Sequence, residues 1–128
     1  MNQDLVIELT QYDFNEEVFD ADMPVLVDFW ADWCSPCKEF SPIFEEVAND
    51  YLKKADDGYI MERKVKFCRL NIEENPTIVE TLKERGLHVT HIPHIILFSQ
   101  GGVVGEIEGF SGTAALRQQL IELLKKVA

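Results

Sequence analysis

The sequence has few cysteines, no cluster of basic residues and no long apolar run. Only three of its 128 residues are cysteine, an odd, low number that does not fit the disulfide framework of a small secreted protein. The formal net charge of -11 argues against nucleic acid or an anionic membrane as the main partner. No apolar run approaches the length that crosses a bilayer, and no basic segment precedes a hydrophobic one at the N-terminus. We therefore predict a cytoplasmic protein.

The chain has the size and hydrophobic content of one folded domain, and we predict a single domain over residues 1–128. Because 46% of the residues are hydrophobic, a core can form without disulfides. Short β-rich runs alternate with helical patterns, which is typical of an α/β fold with a mixed sheet of about five strands flanked by helices. The predicted order is β-α-β-α-β-α-β-β-α, over residues 5–9, 14–21, 24–30, 34–54, 65–72, 75–86, 94–99, 103–110 and 111–127, with a polar loop at 55–64.

Two of the cysteines lie in the motif WCSPCK over residues 33–38, which follows the apolar run PVLVDFW after two intervening residues. This places Cys34 where a buried strand ends and a helix begins. Unpaired N–H groups and the helix dipole favour an anion there, so the thiol pKa is expected to fall. Cys37 lies one helical turn further along and more enclosed. The pattern predicts that Cys34 attacks a substrate disulfide and that Cys37 resolves the mixed disulfide.

The residues next to the cysteines have supporting interpretations. Pro36 suits the first turn of a helix, where its missing N–H is no loss. Ser35 offers a hydroxyl to a sulfur, and Lys38 adds a positive charge, although a solvated surface lysine is an equally good interpretation. Trp33 is either a flat contact surface for a substrate chain or a partly buried core aromatic.

Asp28 is the only charged residue of the strand VLVDFW. In a central strand it would be buried, which raises the pKa of a carboxyl group. A buried carboxyl near the cysteines would accept the proton of Cys37 as that thiol becomes a nucleophile. The alternative is an aspartate at an exposed strand position, which the apolar residues on both sides disfavour.

The segment VLVDFWADWCSPCK resembles the active site of the thioredoxin family. The resemblance extends from about Leu5 to the C-terminus, because LNI-x-x-NP and an Ile-Pro before an apolar strand follow in the family's order. It implies a thioredoxin fold and a protein-disulfide reductase that cycles Cys34 and Cys37 between dithiol and disulfide. It also implies disulfide-containing proteins as substrates, a thioredoxin reductase as electron donor, a monomeric state and no cofactor or metal.

The resemblance assigns further residues to the site. Arg69 stands where the family usually has a lysine paired with the buried aspartate, here Asp28. Pro42 matches the proline inside the active-site helix. Ile92 and Pro93 match the backbone segment, with a cis-proline, against which an extended substrate lies. Gly109 matches a glycine on the rim of the same groove.

Three departures from the family pattern bear on function. Ser35 replaces a glycine, and a hydrogen bond from serine to the thiolate would make the disulfide more oxidising. His91 and His94 flank Ile92-Pro93, where they would lower a thiol pKa or reshape the groove. The segment 55–64 is longer than usual, and its position at the far end of the sheet makes it a tolerated insertion rather than part of the site.

Two other functions stay open from the sequence. The first is a specialised reductase, isomerase or oxidant for one partner, which the histidines and the Ser-Pro pair would suit. The second is a docking or metal-binding module, in which the two cysteines and His91 and His94 would hold zinc, although their spacing is far longer than in zinc fingers. Cys68 is interpreted as a buried, inert core residue, with a regulatory thiol as the less favoured alternative.

Overall fold

The computed structural model describes residues 6–56, 65–108 and 112–127. The elements follow the predicted order, except that the first helix is a short π-helical segment. In chain order they are β1 (Ile7–Leu9), the π-helix (Asn15–Phe19), β2 (Val25–Trp30), α1 (Ser35–Asp56), β3 (Lys66–Asn71), α2 (Pro76–Glu84), β4 (His94–Ser99), β5 (Gly102–Glu108) and α3 (Thr113–Leu124).

The five strands form one mixed sheet in the order β1-β3-β2-β4-β5. β1 and β2 both pair in parallel with β3, whereas β4 is antiparallel to β2 and β5 is antiparallel to β4. The mixed sheet and the final hairpin are as predicted. The two parallel pairs lie on the β1 side of the sheet, and the two antiparallel pairs lie on the β5 side.

Helices cover both faces of the sheet, which explains why β2 is a nearly continuous apolar run. Side chains alternate between the faces of a strand. Val25, Val27 and Phe29 therefore pack in one hydrophobic cluster, and Leu26 packs in a second cluster formed by α1 and α3. By the same alternation Asp28 faces α1, so a charged group lies on an otherwise apolar face.

The longest helix, α1, starts directly after Cys34 and packs on the sheet through a stripe of apolar side chains. Phe40, Phe44, Val47 and Ala48 are all buried in it. Pro42 lies inside α1, as predicted, and its side chain faces outwards. The packing of this stripe fixes the start of the helix against the end of β2, and thereby positions the two cysteines.

The β4–β5 hairpin turns at Gln100 and Gly101, and β5 begins one residue earlier than the predicted range 103–110. Gln100 and Gly101 both have positive φ angles, 54° and 80°, as in the turns that match the twist of a hairpin. Gly102 is already the first residue of β5. The prediction of a loop at 55–64 falls mostly outside the described residues, since 55 and 56 still belong to α1 and residues 57–64 are not described.

No helix among residues 6–56, 65–108 and 112–127 is long and apolar enough to span a membrane.

Gly86 ends α2, as predicted, and gives a test of this helix end. Its φ of +91° is unfavourable for any residue with a Cβ, although a Cβ there would meet nothing within 4 Å. We expect Gly86→Ala to lower the free energy of unfolding by roughly 1–2 kcal/mol through backbone strain alone. The measurement is the urea midpoint. Gly102→Ala is the control, because Gly102 needs no positive φ, and an equal loss in both variants would contradict this explanation.

Candidate active site

Cys34 and Cys37 lie together where β2 passes into α1 and are joined as a disulfide, with their Cα atoms 5.3 Å apart. The backbone N–H of Cys37 donates a hydrogen bond to Cys34 Sγ over 3.1 Å. This N–H belongs to the first turn of α1, where amide groups lack partners within the helix. The helix start therefore supplies the stabilisation of a sulfur anion that the sequence predicted.

The predicted difference in exposure between the two cysteines was wrong. Cys34 is 3% exposed and Cys37 is 2% exposed. Both sulfurs are covered in the disulfide because the ring is closed within the first turn of α1, and the carbonyl oxygen of Ile92 lies 3.7 Å from Cys34 Sγ. In the disulfide form the two residues thus differ little in exposure.

The side chains of Ser35, Pro36 and Lys38 are exposed around the pair. Pro36 occupies the first turn of α1, as predicted. Among the described residues the Ser35 hydroxyl makes no hydrogen bond to a sulfur. The donor to Cys34 Sγ is instead the backbone N–H of Cys37. Lys38 lies at the edge of the cavity described below.

The surface beside Cys34 combines an exposed aromatic ring with an extended backbone. Trp33 is 65% exposed, so it is not a core residue, and its indole N–H donates a hydrogen bond to Glu73 Oε2. The Ile92–Pro93 peptide bond is cis, as the resemblance implied. Gly109, which was assigned to the rim of this groove, lies outside the described residues.

Asp28 is buried beneath the cysteines, on the face of β2 that α1 covers. Its side chain is 1% exposed. Its Oδ1 has no hydrogen-bond partner among the described residues, and Oδ2 is 3.9 Å from Nε of Arg69. Burial raises the pKa of Asp28 to about 7; the Arg69 charge opposes this shift and the Glu8 charge adds to it. Desolvation therefore outweighs the nearby cation, as the burial of the strand predicted.

A cavity of about 100 Å³ is lined by both Asp28 and Cys37. Its lining is shared by β2, β3 and the first turns of α1, and consists of Asp28, Trp30, Cys37, Lys38, Ser41 and Arg69. The volume is sufficient for a few water molecules at about 30 Å³ each, and Asp28, Lys38, Ser41 and Arg69 supply polar groups to the lining. A proton could thus pass between Cys37 and Asp28 without direct contact.

The two histidines near Pro93 contact each other, and His94 also contacts β5. His94 is buried in β4, and its Nε2 lies 2.6 Å from Oε1 of Glu106 on β5, while the ring of His91 stacks on it at 5.0 Å between centroids. The structure shows no hydrogen bond from His94 to a cysteine within the described residues. The sequence did not reveal Glu106, although hairpin pairing places it diagonally opposite His94.

The remaining candidate sites are a metal site and the third cysteine. In the described part of the chain no three His, Cys, Asp or Glu side chains are grouped so as to hold a metal ion. Cys68 is fully buried and unpaired, and burial raises its thiol pKa to about 12. The interpretation of Cys68 as a buried core residue is confirmed, and the raised pKa disfavours the thiolate, which is the reactive form.

Comparison with known proteins agrees with this geometry. A sequence model of the thioredoxin family matches residues 5–122. The chain is 43% identical to a thioredoxin of Rickettsia bellii over 93 residues, which is 73% of this chain and 74% of that protein. It is 38% identical to a thioredoxin of Buchnera aphidicola over 120 residues, 94% of this chain and 97% of that protein.

A third relative has a different organisation. It is a bifunctional thioredoxin reductase/thioredoxin of Mycobacterium leprae, 34% identical over 123 residues, which is 96% of this chain but only 24% of that protein. The match to the family model, the identities and the bonded cysteine pair at the start of α1 lead to one conclusion. The chain belongs to the thioredoxin family, and it is a protein-disulfide reductase that works through a dithiol–disulfide cycle of Cys34 and Cys37.

Proposed function

We propose that Cys34 is the attacking thiol and Cys37 the resolving thiol of this cycle. The thiolate of Cys34 attacks one sulfur of a substrate disulfide, the substrate S–S bond breaks, and a mixed disulfide forms. Cys37, as a thiolate, then attacks Cys34 Sγ and releases the second substrate thiol. Two electrons pass to the substrate, and the Cys34–Cys37 disulfide remains. The observation that carries these roles is the hydrogen bond from the Cys37 N–H to Cys34 Sγ, which stabilises charge on Cys34.

Asp28 is the acid–base group of the resolving step. A carboxyl with a pKa of about 7 is half ionised near neutral pH, where proton acceptors and donors are most effective. It shares the cavity with Cys37 and therefore accepts the thiol proton when Cys37 attacks, through water where no direct contact exists. In the return reaction the same carboxyl supplies the proton.

The substrate chain lies across Trp33 and the Ile92–Pro93 backbone. Trp33 presents an exposed ring and Ile92 holds its carbonyl oxygen beside Cys34 Sγ. An extended segment pairing with this backbone would bring its disulfide to Cys34 without a requirement for particular side chains. The substrates are accordingly disulfide-containing proteins of varied sequence.

Electrons return to the pair from a flavoprotein thioredoxin reductase. The supporting observation is one relative, named as both thioredoxin reductase and thioredoxin. That protein contains a segment similar to nearly all of this chain. We further propose that the chain acts as a monomeric, single domain in the reducing cytoplasm, where Cys34 and Cys37 are returned to thiols after each turnover.

The roles of the two cysteines are tested by trapping. After incubation with oxidised insulin, Cys37→Ser is expected to retain a stable mixed disulfide with Cys34, because no thiol remains to resolve it. Peptide mass spectrometry identifies the bonded cysteine. Cys34→Ser, which keeps Cys37 and Cys68, is the matched control and should retain little adduct. A stable adduct at Cys37 in the control would reverse the assigned order.

A further inference from the structure

The Arg69 side chain makes its short contacts with α1 and not with Asp28. Its Nη2 donates hydrogen bonds to Ser41 Oγ over 2.6 Å and to Glu45 Oε2 over 3.3 Å. Only Nε faces Asp28, at 3.9 Å from Oδ2. That distance is too long for a hydrogen bond, since an N–H···O contact of about 3.6 Å already falls outside the accepted range.

This arrangement is unexpected for an arginine opposite a buried aspartate. Asp28 and Arg69 are direct neighbours across β2 and β3. A guanidinium readily donates two parallel hydrogen bonds to one carboxylate, and such pairs are strong. Here Oδ1 of Asp28 has no partner among the described residues. The Arg69 guanidinium is therefore turned away from the Asp28 carboxylate, which would bind it most strongly.

We propose that Ser41 and Glu45 are positioning residues that hold the Arg69 guanidinium against α1 and thereby prevent it from pairing with Asp28. Both residues lie on one face of α1, one helical turn apart, and reach the same nitrogen. The inference deepens the proposed role of Asp28 and rests on it for its functional meaning. Its structural content, the restraint of Arg69, stands on the contacts alone.

The charged groups around Asp28 come from three elements. Glu8 on β1 is the neighbour of Arg69 on the other side of β3 and accepts a hydrogen bond from the Trp30 indole. Lys38 on α1 lines the same cavity. On β4 the neighbour of Asp28 is Ile95, which is uncharged. Arg69 is thus the cation directly beside Asp28, and its position decides how well the ionised carboxylate is stabilised.

The restraint matters because direct pairing with Arg69 would make the Asp28 carboxylate a poor proton acceptor near neutral pH. Burial holds the pKa of Asp28 at about 7 against the partial compensation from Arg69. An arginine in direct contact commonly lowers an aspartate pKa by about 1–3 units. A carboxylate with such a lowered pKa is a weaker base for the Cys37 thiol. Ser41 and Glu45 therefore keep Asp28 basic enough to act near neutral pH.

The experiment removes both anchors. In the oxidised protein, Ser41→Ala/Glu45→Ala should lower the Asp28 pKa by about one unit as Arg69 turns towards the carboxylate. The pKa is read from the 13C shift of the Asp28 carboxyl during a pH titration. Glu46→Ala is the matched control, since it removes the same charge from the next residue of α1 while Glu46 contacts Thr113. The control should move the pKa by only a few tenths of a unit.

Two further variants separate restraint from simple loss of charge. Ser41→Ala alone changes no charge and should still lower the Asp28 pKa. In an Arg69→Met background, Ser41→Ala/Glu45→Ala should change the Asp28 pKa no more than Glu46→Ala does, because the guanidinium that it would release is absent. The proposal is overturned if the double variant shifts the Asp28 pKa no more than Glu46→Ala does, or if the larger shift persists in the Arg69→Met background.

A kinetic measurement distinguishes this inference from the proposed function. The reduced protein is mixed rapidly with dithionitrobenzoate, and the second release of thionitrobenzoate, from Cys34 by attack of Cys37, is followed at different pH values in wild type and in Ser41→Ala/Glu45→Ala. The midpoint of the rate profile should fall together with the Asp28 pKa. If the carboxyl pKa falls and the midpoint does not, the restraint of Arg69 is upheld and the acid–base role of Asp28 is refuted.

Discussion

Replacing Cys34 by serine is expected to lower the rate of protein-disulfide reduction by more than about a thousandfold, down to the uncatalysed background. The serine hydroxyl has nearly the same size as the thiol but is not ionised at neutral pH, so the start of α1 has no anion to stabilise. The N–H of Cys37 would then face a neutral oxygen instead of the sulfur that it contacts at 3.1 Å. The measurement is the initial rate of insulin precipitation with dithiothreitol as electron source.

The third cysteine supplies the control. Cys68 is buried in the core, and burial raises its thiol pKa to about 12. Cys68→Ala should therefore keep the wild-type rate within about twofold, since the residue contributes packing and not reactivity. Equal losses in the two variants would show that the Cys34→Ser effect comes from damage to the fold. Full activity in Cys34→Ser would refute its role as the attacking thiol.

Asp28→Asn is expected to stabilise the protein at pH 8 by about 4 kcal/mol. An unfolded aspartate ionises near 3.8, whereas folded Asp28 has a pKa of about 7. Between these pH values the folded state binds more protons than the unfolded state, so the free energy of unfolding falls as the pH rises. The difference of about three units corresponds to about 4 kcal/mol at about 1.36 kcal/mol per unit. An amide at this position carries no charge, so the variant is free of this penalty.

Urea unfolding between pH 4 and pH 8 tests the sign and the size of this effect. The wild type should lose stability relative to the variant from about pH 4 upwards, and the difference should become constant above about pH 7. Asp22→Asn is the control, because Asp22 is exposed and its replacement should change stability by less than about 0.5 kcal/mol. A difference that is equal at all pH values would mean that packing, and not ionisation, separates aspartate from asparagine at this position.

Sequence reasoning identified those residues whose position follows from the pattern of a single strand or helix. The continuous apolar run of β2 predicted both the central strand and the burial of Asp28. The positions of Cys34 and Cys37 followed from the junction of β2 with α1. Arg69 required the family resemblance, since nothing in the strand itself indicates a partner across the sheet.

The residues that were missed depend on contacts between elements. Ser41 and Glu45 are separated from Arg69 by 28 and 24 positions, and their interaction exists only because α1 packs on β3. Glu106 meets His94 through the register of the β4–β5 hairpin, and a shift of the turn by one residue changes that register. The equal burial of the two sulfurs likewise depends on Ile92, which is 58 positions from Cys34.

The burial of Cys68 bears on which disulfides the chain can form during turnover. Each turnover passes through a mixed disulfide that is open to attack by any nearby nucleophilic sulfur. A third thiol of ordinary reactivity would divert some of these intermediates into scrambled or cross-linked chains. Because Cys68 is buried and its thiol pKa is raised to about 12, we expect it not to compete with Cys37 for the mixed disulfide.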